Sequence, residues 1–344
     1  MKICVYGAGS IGCYLGGRLV ATGYDIDFIV RPKIQQELQT YGLTVSDYKG
    51  FKQTIPANQL QMMIDPNAAA HADIILVCVK SASTEQVAYE LKAILKKKTI
   101  IISFQNGLSN VGILKQILTE HTILEGMVPF NVAALRNGIF HQGTDGVLYV
   151  KKYEGLTELV NAFQKTHLEI KLESDMQAIQ WAKLLLNLNN SINALSQLPL
   201  KQQLSIREYR QCLALAQLEA LSLLKIAKIK PAKLTPIPAQ FIPKILKLPN
   251  AVFKIISKKM LAIDPLARSS MADDLMAGRK TEIDWINGEI LNLAKHLNLH
   301  APINQKLIQL VKRAELRSEP KAWSGFELKA RLEQVSKMRP QKSV

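Results

Sequence analysis

Cysteine and histidine are scarce in this chain, which has four cysteines and six histidines among 344 residues. Cys4, Cys13, Cys78 and Cys212 are widely scattered, with no C-x-x-C pair and no metal-like spacing to a histidine. That pattern excludes a disulfide framework and a structural zinc site as the basis of the fold, and no metal is expected. Cys4 and Cys78 sit in apolar runs of strand length, where a reduced, buried thiol is the ordinary state, so a cytoplasmic location is expected. The chain also lacks an uncharged run long enough to span a bilayer. No secretory leader is read at the N-terminus, because the first apolar stretch is short and is broken by glycines that have a structural use. Acidic side chains are few, 28 against 44 Lys and Arg, for a net charge of +16. Much of that excess is local, since residues 220–263 hold nine lysines and no acid. Elsewhere the imbalance is modest, which argues against nucleic acid as a partner.

What the chain does have is a strand-length run, Lys2-Ile3-Cys4-Val5-Tyr6, that breaks directly into Gly7-Ala8-Gly9-Ser10-Ile11-Gly12 and then into a helical pattern. A G-x-G-x-x-G turn between a strand and a helix is built to hold a dinucleotide. Gly7 permits the tight turn, Gly9 lets backbone N–H groups approach a pyrophosphate, and Gly12 lets the helix pack close to the strand. The helix N-terminus then turns its partial positive charge toward the phosphates.

Length and a hydrophobic content of 48% allow two domains with substantial cores. Ile11 to Ala21 reads as a helix ended by Gly23, followed by a strand at Ile26–Val30. Two further apolar strands, Ile74–Val79 and Thr99–Ser103, lead into Lys80-Ser81 and Gln105-Asn106-Gly107. Continuous apolar strands separated by helices imply a parallel sheet covered on both faces, hence an α/β, doubly wound Rossmann-type domain over residues 1–172. Past Glu173 helical periodicity takes over, through Trp181–Leu195, Tyr209–Ile229 and Ile283–Leu297, so an all-α second domain is expected over 173–325. Within it, prolines at 231, 236, 238, 243, 249 and 265 allow only short or broken helices. The proline- and lysine-rich stretch at about 230–262 interleaves apolar residues with cations. It is read as a helical insertion with a wetted basic face rather than a membrane-surface segment. Residues 326–344 form a basic tail expected to be loosely held at its end.

The residue at the tip of the second strand of such a domain reads the adenosine ribose, an acid accepting from a free 2′-hydroxyl and an arginine pairing with a 2′-phosphate. Here the tip is Val30-Arg31, which favours NADPH over NADH. Asp27 lies too early in the strand for that task and reads as a solvated strand-start carboxylate.

At about 100° per residue, Trp181, Leu184, Leu185, Leu188, Ile192 and Leu195 form one apolar stripe, and Lys183, Asn187, Asn190 and Ser191 cluster opposite it. A solvent-facing helix would spend those positions on better helix formers than asparagine. One lysine among amides suits a cleft wall that supplies a proton and orients a bound molecule, or an amide face pairing with a neighbouring element. Downstream, Arg268–Ala277 reads as a helix stopped by Gly278. Thr281 then caps a new helix, with Asp284 completing a capping-box pattern. Glu282 falls in its first turn, where the helix dipole alone favours a carboxylate.

Taken together, Gly7–Gly12, Val79-Lys80, Gln105-Asn106-Gly107, Trp181-x-Lys183-Leu184-x-x-Asn187 and Ser269-Ser270-Met271 with Thr281-Glu282-Ile283-Asp284-Trp285-Ile286-Asn287-Gly288 resemble the ketopantoate reductase family. The resemblance spans nearly the whole chain, in order. It implies NADPH-dependent reduction of 2-dehydropantoate to (R)-pantoate, on the way to pantothenate and coenzyme A. By the same resemblance Lys183 matches the proton donor to the keto oxygen, Glu282 the carboxylate that fixes the lysine and contacts substrate, and Ser270 the serine near the substrate carboxylate. Lys80 and Asn106 match residues bordering the nicotinamide end of the cofactor, Asn106 also touching substrate, and Asn187 matches the first substrate-binding amide. The family commonly carries a second asparagine eight residues after the lysine, where this chain has Ser191, and Asn190 one residue earlier is the alternative. The implied partner is a small 2-oxo acid taken up by a monomer or homodimer. The competing expectations are reduction of another branched 2-oxo acid, or NADPH binding without catalysis.

Overall fold

A computed structural model describes residues 1–256 and 267–337. The end of the insertion at 257–262, Pro265 and the last seven residues of the tail lie outside the described residues. The chain divides into two compact units, Met1–Met176 and Gln177–Val344.

Twelve strands fall in the first unit, each four to six residues long, or three at β5 and β9. They are β1 (Ile3–Tyr6), β2 (Ile26–Ile29), β3 (Leu43–Asp47), β4 (Lys52–Ile55), β5 (Gln61–Met63) and β6 (Ile74–Val77), followed by β7 (Ile100–Ser103), β8 (Thr122–Met127), β9 (Val132–Ala134), β10 (Ile139–Gln142), β11 (Leu148–Lys151) and β12 (Ile170–Glu173). Eight form one sheet in the order β12-β11-β8-β7-β6-β1-β2-β5, and β4-β3-β10-β9 form a second. From β8 to β5 every pairing is parallel, and β11 joins β8 antiparallel. Counted along the chain, the six parallel strands lie in the order 3-2-1-4-5-6 of a dinucleotide-binding Rossmann sheet.

Alternation along β1 shows why both faces are covered. Ile3 and Val5 pack with Phe28, Leu76 and Ile102 into the core under helix Ser10–Val20, while Cys4 and Tyr6 pack with Ile75, Val77 and Ile101 into the core under helices Thr84–Ile94 and Asn110–Ile117. Asp27 is not solvated as its position suggested. It is 3% exposed and ion-paired with Lys2 at 3.0 Å, because neighbours on both sides of β2 cover it.

The second unit consists of helices and connecting loops, with no strand among its described residues. Trp181, Leu184, Leu185, Leu188, Ile192 and Leu195 are all buried, so the expected stripe is the inner face of helices Met176–Asn187 and Asn189–Ser196, which are separated by a single turn residue, Leu188. The long helix Arg207–Ile226 carries a fully buried guanidinium at Arg210. It donates to the carbonyls of Leu204, Ser205, Leu246 and Leu248 and to Asn250 Oδ1, and it stacks on the Phe253 ring at 4.0 Å. That fan of bonds fastens the short helices Ile242–Leu246 and Asn250–Ile256 that the prolines permit. The tail departs from expectation: Gly325–Lys337 is a helix docked on Arg207–Ile226, with Leu328 and Leu332 fully buried. Two buried leucines one turn apart outweigh the polar composition that suggested a loose end. Among the described residues no helix is long and apolar enough to cross a membrane, and no cluster of His, Cys, Asp and Glu is placed to hold a metal ion.

Candidate active site

In a doubly wound sheet, ligands bind beyond the carboxyl ends of the strands where the strand order reverses, here between β1 and β6. The glycine turn follows β1, Val30-Arg31 follows β2, Cys78-Val79-Lys80 follows β6 and Phe104–Gly107 follows β7. All the proposed cofactor residues of this unit therefore sit at one edge of four adjacent strands. Gly7 has φ +97°, and a Cβ there would overlap Val79 Cγ1 and lie 2.8 Å from Val79 N, so the turn closes against the β6 loop only with glycine. Gly12 is equally confined, since a Cβ would overlap the Gly7 carbonyl and lie 2.9 Å from Val5 Cγ1. At Gly9 a Cβ would meet no protein atom within 4 Å. The glycine is thus not needed for internal packing, and the space in front of it is open. Arg31 is exposed at the N-cap of helix Pro32–Tyr41, Lys80 is exposed, and Asn106 is half-buried.

Beneath Lys80 and Asn106 lies a buried polar network that sequence reasoning missed. Gln105 Nε2 donates to Val79 O at 3.1 Å and to Thr84 Oγ1 at 2.8 Å, and its Oε1 accepts from Ser103 Oγ at 2.9 Å. Asn110 Nδ2 donates to Asn106 O at 2.6 Å and to Ser81 Oγ at 3.1 Å, and Ser81 Oγ in turn donates to Asn106 O at 2.9 Å. Asn110 Oδ1 is 2.7 Å from Thr84 Oγ1, which closes the loop. Ser81, Thr84, Ser103, Gln105 and Asn110 are all buried, so each bond operates where an unpaired group would be costly. The consequence is a fixed backbone at the loops that follow β6 and β7. The signal in the sequence was the polar run Gln105-Asn106-Gly107 followed by Asn110 directly after an apolar strand.

In the second unit Lys183, Asn187 and Asn190 occupy successive turns of the polar face, each half-buried. Burial draws the Lys183 ammonium down to about 8, because desolvation disfavours the charged form. Ser191 is fully buried, and its hydroxyl donates to Leu188 O at 3.1 Å, the usual back-bonding of a helical serine. Ser269 caps helix Ser270–Met276 by accepting from Ala272 N at 3.2 Å, which leaves Ser270 exposed at the first helical position.

Glu282 is 9% exposed at the N-cap of helix Ile283–His296. The capping box expected between Thr281 and Asp284 does not form. Thr281 N and Oγ1 both donate to Glu315 Oε1, at 2.8 and 2.6 Å, while Asp284 is drawn to Lys312 at 2.8 Å. Both partners stand on helix Pro302–Glu315, so a tertiary contact replaces the Asp284 half of the box and pins the residue before Glu282, while Thr281 Oγ1 still accepts from Ile283 N at 3.3 Å.

A glycine turn at the switch point of a doubly wound sheet in one unit, and a lysine with amides on a helical face in the other, are features found in oxidoreductases that take a nicotinamide cofactor. The family model for ketopantoate reductase PanE/ApbA matches residues 3–155, and that for its C-terminal part matches residues 175–315. The chain belongs to the ketopantoate reductase family, whose members act on a CH–OH group. It is 28% identical to a 2-dehydropantoate 2-reductase of Pyrococcus horikoshii over 332 residues, 92% of this chain and 98% of that one. It is 25% identical to the 2-dehydropantoate 2-reductase of Escherichia coli O157:H7 over 354 residues, 94% of this chain and all of that one. Among solved structures, the PanE/ApbA family ketopantoate reductase of Ralstonia eutropha superposes with a TM-score of 0.77 at 26% identity, covering 92% of this chain and 98% of that one. A D-mandelate dehydrogenase with NADH and anilino(oxo)acetate shares the fold, with a TM-score of 0.75 at 19% identity and coverage of 92% of this chain and 98% of that one.

Proposed function

We propose that this protein reduces 2-dehydropantoate to (R)-pantoate with NADPH, as a step toward pantothenate and coenzyme A. The observation that carries the reading is Lys183, held among amides on a helix with its ammonium lowered to about 8, a value suited to giving up a proton near neutral pH. The glycine turn and the helix N-terminus behind it take the pyrophosphate, Arg31 the 2′-phosphate, and Lys80 with Asn106 the nicotinamide end. When bound, the dinucleotide supplies a hydride to the keto carbon. As the carbonyl π pair moves onto oxygen, Lys183 passes its proton there, and the neutral amine regains a proton from solvent. Before that transfer its positive charge stabilises the developing alkoxide. Glu282 orients the lysine, Ser270 meets the substrate carboxylate, and Asn187 with Asn190 holds the hydroxyl end. Asn190 takes this task rather than Ser191, because the Ser191 hydroxyl is buried and already donates to Leu188 O.

The Ser191 departure also favours a second reading, a reductase for another branched 2-oxo acid. Initial rates of NADPH oxidation across a panel of 2-oxo acids separate the two. The expected result is the highest kcat/KM with 2-dehydropantoate, and a far faster competitor would move the assignment to that acid. No turnover with any of them would leave NADPH binding without catalysis.

Cofactor choice is tested at Arg31. Arg31→Ala is expected to raise the KM for NADPH about tenfold or more while leaving that for NADH nearly unchanged, since only the phosphorylated ribose loses a charge partner. Equal weakening toward both dinucleotides would remove the assignment.

A further inference from the structure

Asn193 lies on the helix that carries Asn190, yet its own side chain is fully buried and turned to a different task. Its Oδ1 accepts from Ser269 N at 2.9 Å, and its Nδ2 donates to Leu198 O at 2.9 Å. Ser269 Oγ reaches the same helix a turn earlier, donating to Asn190 O at 3.3 Å. Two more bonds tie the flanking segments, Leu200 N to Ala267 O at 2.8 Å and Arg268 Nη1 to Gln197 O at 2.5 Å. The residue after Ser269 is Ser270, and helix Ser270–Met276 packs along helix Asn189–Ser196. The amide is the buried centre of these bonds between the two segments, and with them it fixes the height of Ser270 against Asn190.

We propose that Asn193 is the positioning residue of the substrate pocket, a latch that sets Ser270 in register with Asn187 and Asn190 so that the carboxylate and the far end of one 2-oxo acid are gripped together. This rests on the function proposed above. The physical reason is cost: a buried Ser269 N–H left without an acceptor is strongly disfavoured, so the segment before Ser270 must shift if the amide is lost. Asn193 touches neither substrate nor cofactor, so its removal acts on the geometry of binding rather than on proton transfer.

Three variants test it: Asn193→Ala, Asn193→Asp, which keeps an acceptor for Ser269 N, and Leu328→Ala, which opens a cavity under the last helix. For Asn193→Ala we expect the KM for the 2-oxo acid to rise about tenfold or more, with the KM for NADPH within about twofold of the parent. Amide hydrogen exchange over residues 267–272 is expected to accelerate in Asn193→Ala and to return toward the parent rate in Asn193→Asp. Leu328→Ala is expected to lower the melting temperature without either change. An unchanged exchange rate at Ser269 in Asn193→Ala, or a KM shift equally large in Leu328→Ala, overturns the proposal. Should the parent protein turn over no 2-oxo acid, the assigned function fails, while the exchange measurement still decides whether the latch exists.

Discussion

Lys183→Ala is expected to lower kcat for keto-acid reduction by about a thousandfold or more, with NADPH affinity nearly kept. A positioned general acid contributes about 10²–10⁴-fold, and loss of a cation beside a developing alkoxide adds to that. The same side chain fixes the pH dependence. The proton donor is the ammonium form, so kcat/KM should be level below pH 8 and fall about tenfold per unit above it, following the lowered value of about 8. Stability should move the other way. Because the folded-state value lies below the unfolded 10.5, the fold disfavours the charged amine at pH below about 8, and that cost disappears as pH rises from about 8 toward 10.5. An enzyme that loses activity while its melting temperature holds or rises over this window has its acid where Lys183 is. A thousandfold loss in Lys183→Ala with the pH limb still present would assign the limb to another group.

Two glycine substitutions are expected to separate internal packing from ligand room. Gly12→Ala drives a Cβ into the Gly7 carbonyl and toward Val5 Cγ1 at 2.9 Å, backbone and core atoms that cannot swing away. Both thermal stability and dinucleotide affinity should collapse, the affinity by about a hundredfold or more. Gly9→Ala meets no protein atom within 4 Å, so its melting temperature should stay near the parent while NADPH binding weakens sharply. Titration of NADPH by fluorescence beside a melting curve reads both. Full affinity in Gly9→Ala would show that the space in front of the turn is not where the pyrophosphate lies.

How far the sequence reaches is clearest at these positions. The glycine turn, the strands after it and the apolar stripe from Trp181 to Leu195 are local patterns in which each residue's environment follows from its period, and the fold carries them, except that the single helix expected over the stripe is broken at Leu188. The four-stranded second sheet escaped, because β4 is mostly polar and exposed and β9 is only three residues long. Thr281 escaped for a different reason. Its cap partner Glu315 lies 34 residues away, so the local capping box lost to a tertiary bond. Asn193, Asn110 and Thr84 were visible as residues but not as a device, because a buried amide becomes meaningful only when the backbone groups it bridges are known. Ser191 is the reverse case, a residue that matched a family position by count but that the helix keeps for its own Leu188 carbonyl.

The most direct measurement follows the hydride itself. Incubated with 2-dehydropantoate and NADPH deuterated at the transferring position of the nicotinamide, the protein should yield (R)-pantoate carrying deuterium at C2, at a rate that collapses in Lys183→Ala. Pantoate that is not formed, or is formed without the label, would contradict the account.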